Sequence, residues 1–473
     1  MVFSNLTFLF LFLPLFFLTY LAAPKFLRNT LLFIGGIIFY AWGEPFYVFV
    51  LLISVLFDYL LGMAMHKYDN NPKLRKAALI TSIIMNLSLL GLFKYGGFIA
   101  ENINLIAGRE LFNIDLPLPI GISFYTFQTL SYTIDLYRRR ITVQKNPINF
   151  AAFVTMFPQV VAGPIVRYED VALELDKREI TLEMVYEGIC RFVMGLGKKV
   201  LIANNIGILW SSVKGMAIAG EYSHMSTATA WLGIIAFTFQ IYFDFSGYSD
   251  MAIGLGKIIG FKFPENFNYP YSSLSISEFW RRWHITLGNW FKSYVYFPMG
   301  GSRRGKLRTL INLGVVWLLT GIWHGANWNF ILWGVFMGVL VISEKLFLGK
   351  ILDKLPWFLS NIYVMVMVIF MWPIFELPTL SHIASYIGLM LGIGGNGLFL
   401  DQQAAYMILN YGVMFTICIV ACSELPKTVA QAIRRRCPAL VDYGTIPVIL
   451  AIFIGCTAYL VNAGYNPFLY FNF

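Results

Sequence analysis

The chain has 473 residues, of which 58% are hydrophobic, 17% aromatic and only 13% charged. Counted with glycine in the apolar set and tyrosine outside it, the apolar share is about 61%, against roughly 45–50% apolar and 25% charged in soluble proteins. This excludes an ordinary soluble enzyme. The net charge of +10 does not indicate a nucleic-acid partner, because the basic residues fall in short loops between apolar runs and not on a folded basic domain. The partner indicated is the lipid membrane.

In chain order, Leu6 to Leu21 is the first long apolar run. It has no Lys or Arg before it, so it lacks the basic start of a cleaved secretory signal and is expected to remain as a membrane span. A helix needs about 20 apolar residues to cross a ~30 Å hydrocarbon core. On that basis spans are expected near 6–22, 30–42, 46–64, 78–98, 118–136, 198–213, 226–246, 309–322, 328–344, 357–374, 404–423 and 446–463. The fold class is therefore an all-α polytopic membrane protein of about 12 transmembrane helices, organised as one domain over 1–473. No repeat of fixed period is visible. The apolar stretch from Ile383 to Gly392 is about half the length of a span, and is expected to lie as a helix in the outer interface.

Orientation follows from the distribution of Lys and Arg. Loops 23–29, 66–77, 137–148 and 424–444 hold 14 basic residues between them, while 43–45, 100–116, 374–403 and 464–473 hold only Arg109. This predicts both termini outside, which agrees with an even number of crossings.

Two segments break the regular pattern. Phe150 to Val166 contains Pro158, Gly163 and Pro164, and Leu274 to Met299 contains Arg281, Arg282 and Pro298. Irregular backbone at membrane depth is tolerated only where protein or a water-filled cavity covers it, so re-entrant or interfacial segments are expected here.

Motifs of soluble chemistry are absent: there is no GxSxG, no GxxxxGK[ST] and no HExxH. The GxGxxG string Gly392 to Gly397 follows no βαβ strand and is set aside. Five cysteines (Cys190, Cys418, Cys422, Cys437, Cys456) show no metal-ligand spacing, so no metal is expected, and most should be small buried hydrophobes.

The histidines are more informative. His66, His224 and His382 fall in predicted loops or interfaces, where a solvated ring is the plain reading. His324 lies in Val315-Val316-Trp317-Leu318-Leu319-Thr320-Gly321-Ile322-Trp323-His324-Gly325-Ala326-Asn327-Trp328, inside a stretch from Leu310 to Ile342 without Asp, Glu, Lys or Arg. An ionisable residue at such a place is a functional hypothesis by default. The alternative is a histidine that only bonds between helices. On a helix Trp317, Thr320 and His324 share a face. Gly321 and Gly325 leave room beside the imidazole for another backbone or a substrate, and a neutral imidazole there can act as a general base.

His284 lies in Phe279-Trp280-Arg281-Arg282-Trp283-His284-Ile285-Thr286. Guanidiniums beside aromatic rings suit a phosphate or carboxylate ligand, and suit equally a helix anchored to lipid headgroups. Asp244, within Gln240 to Asp250, can pack between helices or orient an imidazole. Ser123, Tyr125, Thr126 and Gln128 read mainly as polar packing.

At these residues the chain resembles the membrane-bound O-acyltransferase family, in particular its bacterial alginate and cell-wall polysaccharide O-acetyltransferase branch. The passages are Met1 to Phe12, Pro119 to Asp135, Phe157 to Arg167, Tyr242 to Asp250, Phe279 to Thr286 and Leu318 to Trp328. The resemblance implies helices around a funnel or tunnel in the bacterial cytoplasmic membrane. His324, in its Trp-His-Gly motif, would be the catalytic base, and His284 the second essential residue. Arg281, Arg282, Trp283, Trp323, Asn327, Asp244 and Gln159 are the expected substrate-binding residues. No bound cofactor is expected. The donor would be acetyl-CoA or an acyl carrier on the cytoplasmic side, and the final acceptor a polysaccharide outside. Since the chain carries no GxSxG, a separate lipase-like acetyltransferase outside the membrane is the implied partner. D-alanyl transfer to teichoic acid is the alternative within the family, and a transporter or flippase the alternative outside it.

Overall fold

The computed structural model describes residues 1–462, 468 and 469. The predicted outer segment 464–473 thus lies almost entirely outside the described residues. Among the described residues the chain is helical, and the one isolated β-bridge joins Phe267 to Trp283.

The chain forms two compact units. The first is built from Met1–Phe192 and Tyr248–Glu265. It begins with helices α1 (Phe8–Ala22), α2 (Arg28–Ala41), α3 (Val48–Lys67) and α4 (Pro72–Ala107). These are followed by α5 (Ile122–Tyr137), α6 (Pro147–Thr155) and α7 (Tyr168–Asp176). The second unit is built from Val193–Gly247 and residues 266–462. Two long helices, α8 (Leu182–Ile218) and α9 (Thr227–Ile258), contribute residues to both units.

Past Asn266 come two short helices, α10 (Ile276–Arg282) and α11 (Ile285–Phe291), and then α12 (Lys306–His324), α13 (Trp328–Leu352) and α14 (Trp357–Glu376). The remaining helices are α15 (Leu380–Met390), α16 (Gln402–Ala421), α17 (Leu425–Arg436) and α18 (Pro438–Asn462).

Eight helices, α3, α4, α8, α9, α13, α14, α16 and α18, are long and apolar enough to cross a membrane. Each coincides with one of the twelve expected spans. The residues of the other four expected spans fall in α1, α2, α5 and α12, helices too short or too polar to cross a membrane by length and composition alone; α12, for example, carries Lys306, Arg308 and Asn312. The chain is thus a multi-pass membrane protein. The run at 383–392 falls mostly within the 11-residue helix α15, which ends at Met390.

In the first unit the core is aromatic. Phe157 meets Phe12 and Phe16 edge-on, with centroids 5.3 and 4.9 Å apart. Phe157 belongs to a non-helical run, Met156 to Val166, in which every residue is buried. The prolines and glycine that stop the helix there therefore leave irregular backbone covered by protein, as Pro158 and Pro164 in the sequence suggested. A polar cluster ties α3, α4 and α5: the Asp58 carboxylate accepts from Ser82 Oγ at 2.6 Å and Asn86 Nδ2 at 2.8 Å, and Ser82 Oγ lies 3.1 Å from Thr133 Oγ1 on α5.

In the second unit α12 and α13 form a hairpin whose close approach depends on glycine. A Cβ on Gly321 would lie 2.5 Å from the Phe330 carbonyl oxygen, and one on Gly334 would lie 2.6 Å from that of Trp317. The space beside His324 foreseen at Gly321 is thus taken by the backbone of α13. The space at Gly325 is taken by the Phe330 ring.

Candidate active site

His324 is the last residue of α12, and Gly325 continues in extended backbone to the turn before α13. Trp317, Thr320 and His324 are all buried on α12, as the helical spacing required. The His324 ring is boxed by Trp323, Trp333 and Phe375, with centroids 5.0, 4.9 and 5.2 Å away. Three edge-on aromatic contacts fix the plane of the imidazole without adding a charge beside it.

His284 is presented differently. It sits between α10 and α11 with φ 46° and ψ 52°, in the left-handed region. A non-glycine residue held there costs about 1–3 kcal/mol, a cost that persists only where surrounding contacts over-determine the conformation. Those contacts are present. Asn268 N–H donates to the Arg282 carbonyl at 2.9 Å, and Ile285 N–H donates to that of Asn266 at 3.0 Å. The Asn266 side-chain oxygen lies 3.1 Å from His284 Nδ1. The ring is buried among Phe245, at 4.7 Å edge-on, and Trp323, at 6.0 Å. Burial pushes its imidazole down to about 3, so it is neutral at physiological pH.

Trp323 therefore packs against both imidazoles, bringing residues 40 positions apart in sequence to one indole. Trp283 packs on Phe279, Phe267 and Trp372 and serves the core around them. The two arginines separate. Arg282 is bonded to Glu278 at 2.8 Å and approaches Glu424 at 3.8 Å. Arg281 is exposed and lines a cavity of about 760 Å³ together with Tyr296, Lys345 and Asp353.

The remaining expected residues have other neighbours. Asp244 is ion-paired with Lys199, both buried. The group that holds an imidazole is the Asn266 amide. Asn327 caps α13, accepting from Trp328 N–H at 2.6 Å and donating to the Pro378 carbonyl at 3.1 Å. Gln159 belongs to the first unit, where its amide donates to the Phe153 carbonyl. The polar run Gln240 to Asp250 is divided likewise, since Asp250 pairs with Arg191 at 2.8 Å within the first unit.

Sequence reasoning missed Asn266, Lys199 and Phe375. Lys199 carried a usable signal, an ionisable residue inside an apolar helix. Asn266 lies in Pro264-Glu265-Asn266-Phe267-Asn268-Tyr269-Pro270, a polar loop that nothing local connects to His284.

The sequence profile of the membrane-bound O-acyltransferase family matches residues 37–379. The chain is 36% identical to the protein named "probable alginate O-acetylase AlgI" of Pseudomonas putida, over the full length of both. It is 33% identical to the peptidoglycan O-acetyltransferase of Helicobacter pylori, over 87% of this chain and 83% of that one. The teichoic acid D-alanyltransferase of Bacillus subtilis is 30% identical over 51% of this chain and 62% of its own. The chain belongs to the membrane-bound O-acyltransferase family and is an acyltransferase.

Proposed function

We propose that the protein passes an acetyl group from a thioester donor at the inner face of a bacterial cytoplasmic membrane to an acceptor at the outer face, for O-acetylation of an extracytoplasmic polysaccharide. The observation that carries this reading is the pair of buried histidines that both pack against Trp323. His324 takes the proton of the acceptor hydroxyl as its oxygen bonds to the acyl carbon. The carbon–sulfur bond of the donor then breaks, and the proton passes to the leaving thiolate. The neutral His284 assists from the same aromatic cluster around Trp323. Arg281 faces the anionic part of the donor, which would be acetyl-CoA or an acyl carrier. Asp244, Asn327 and Trp283 act on this reading by shaping the surrounding structure, while Gln159 holds backbone within the first unit.

Acetyl is favoured over D-alanyl because the acetylating relatives match along nearly the whole chain, and the D-alanyltransferase along half of it. A lipase-like acetyltransferase outside the membrane completes the transfer to polymer. The chain crosses the membrane twelve times with both termini outside, α1, α2, α5 and α12 supplying the spans that fall short by length or composition alone.

The test is purified protein in vesicles with a labelled acetyl donor and a hydroxyl acceptor. His324→Ala should lower the maximal rate by about 10²–10⁴-fold, the usual contribution of general-base catalysis, with the protein still in the membrane. Retention of more than about half the rate would sink the assignment. Orientation is tested with an impermeant thiol reagent, which should label Ser381→Cys from outside and Arg435→Cys only after the membrane is opened. Labelling of Arg435→Cys from outside would invert the C-terminal half.

A further inference from the structure

We infer that Asn266 is the positioning residue that fixes which nitrogen of His284 carries the proton, leaving the lone pair on Nε2. The inference rests on the proposed role of His284 in acyl transfer and adds to it a residue and a protonation pattern. Asn266 is fully buried. Its side-chain oxygen meets three groups: Thr286 N–H at 3.3 Å, Thr286 Oγ1 at 2.9 Å and His284 Nδ1 at 3.1 Å.

A backbone N–H can only donate, so the amide atom facing Thr286 N must be the oxygen, and the orientation of this amide is settled by its surroundings. An oxygen can only accept, so His284 Nδ1 must carry a hydrogen. In a neutral imidazole the other nitrogen, Nε2, then carries the lone pair. The left-handed backbone at His284 serves the same end. It turns the chain between α10 and α11 so that His284 and Thr286 both reach one amide, while the Asn266 carbonyl takes Ile285 N–H.

The rings packed on His284, Phe245 and Trp323, do not titrate. The charged groups nearest along these elements are Arg281 and Arg282 on α10, the Lys199–Asp244 pair beside Phe245, and the ionisable His324 beyond Trp323.

The experiment compares Asn266→Asp, Asn266→Leu and His284→Ala with the full-length enzyme in vesicles, over a range of pH. A carboxylate at 266 accepts the same three hydrogen bonds and preserves the tautomer. Its charge favours the imidazolium, so the ionisation of the His284 ring, followed by NMR of the ring-labelled protein, should move to higher pH by about 1–3 units, with transfer activity kept above it. Asn266→Leu removes the acceptor and should lose about 10–100-fold, the loss seen when a partner that orients a metal-bound histidine is removed, with no such upward movement. A folded but inactive Asn266→Asp enzyme, an unmoved His284 ionisation in that enzyme, or Asn266→Leu at more than half the wild-type rate would each overturn the inference. Should Asn266→Leu fail to fold, the His284 titration of Asn266→Asp decides alone. His284→Ala separates the two levels: if it keeps its rate, the proposed role of His284 itself has failed, whatever Asn266 does.

Discussion

The two histidines of the second unit are delivered by opposite means. His324 ends a regular helix, and glycines on two adjacent helices bring its hairpin together. His284 sits where helix stops, in a backbone conformation that L-residues disfavour, held by a loop 16–18 residues earlier in the chain. Precision at His324 comes from close packing of ordinary elements. At His284 it comes from hydrogen bonds that override local preference. The two regions should therefore fail differently.

The largest effect is expected in the hairpin. Gly321→Val or Gly334→Val places side-chain atoms against a facing carbonyl oxygen within 2.6 Å of the added Cβ, where only movement of a whole helix relieves the clash. Overpacking of this kind costs about 1–3 kcal/mol and sometimes more, so a marked fall in the detergent melting temperature is expected, with loss of transfer following it. Gly314 on α12 has no atom within 4 Å of an added Cβ, so Gly314→Ala should melt at or above wild type, by up to about 1 kcal/mol of stability, with transfer kept. Equal behaviour of Gly314→Ala and Gly334→Val would show that the hairpin is not held by backbone approach.

This contrast also explains what could be read from the sequence. The hairpin was legible because its determinants are local: an uncharged stretch, glycines one turn apart and a histidine on the face of Trp317 and Thr320. The break at His284 was legible only as irregularity, from Arg281, Arg282 and Pro298. Its left-handed turn depends on Asn266 and Asn268, which act across the chain, and no spacing within Phe279 to Thr286 points to them. Asp244 was noticed for its charge, yet its partner Lys199 lies 45 residues earlier on α8. Pairwise chemistry between distant segments is where a single sequence falls silent. The division of the arginines is a similar case, since Glu278 and Glu424 determine which of the two is engaged.

That division gives the second prediction. Arg281 lines the cavity while Arg282 is bonded to Glu278. Arg281→Ala should raise the apparent KM for donor by about tenfold, corresponding to about 1.4 kcal/mol of charge-assisted contact, with the rate restored at saturating donor. Arg282→Ala should leave that KM within about twofold and lower stability instead. Steady-state kinetics at varied donor concentration checks both. The reverse pattern would place the donor on the other side of α10.

The smallest effect concerns the backbone alone. Replacing either histidine by Ala or by Gly removes the same ring, so the difference between the two variants at one position reports the main chain. At position 284 the left-handed φ of 46° suits glycine and penalises a Cβ, by roughly 1–2 kcal/mol. The Gly variant should therefore melt higher than the Ala variant. At position 324 the residue is helical, and glycine is the poorer choice by up to about 1 kcal/mol, so there the Ala variant should melt higher. Paired melting curves of the four proteins measure the two differences. A reversal of sign between the positions is expected because one histidine rides on a helix while the other is held against its own backbone preference; equal signs would mean that the turn at His284 relaxes once its ring no longer bonds Asn266.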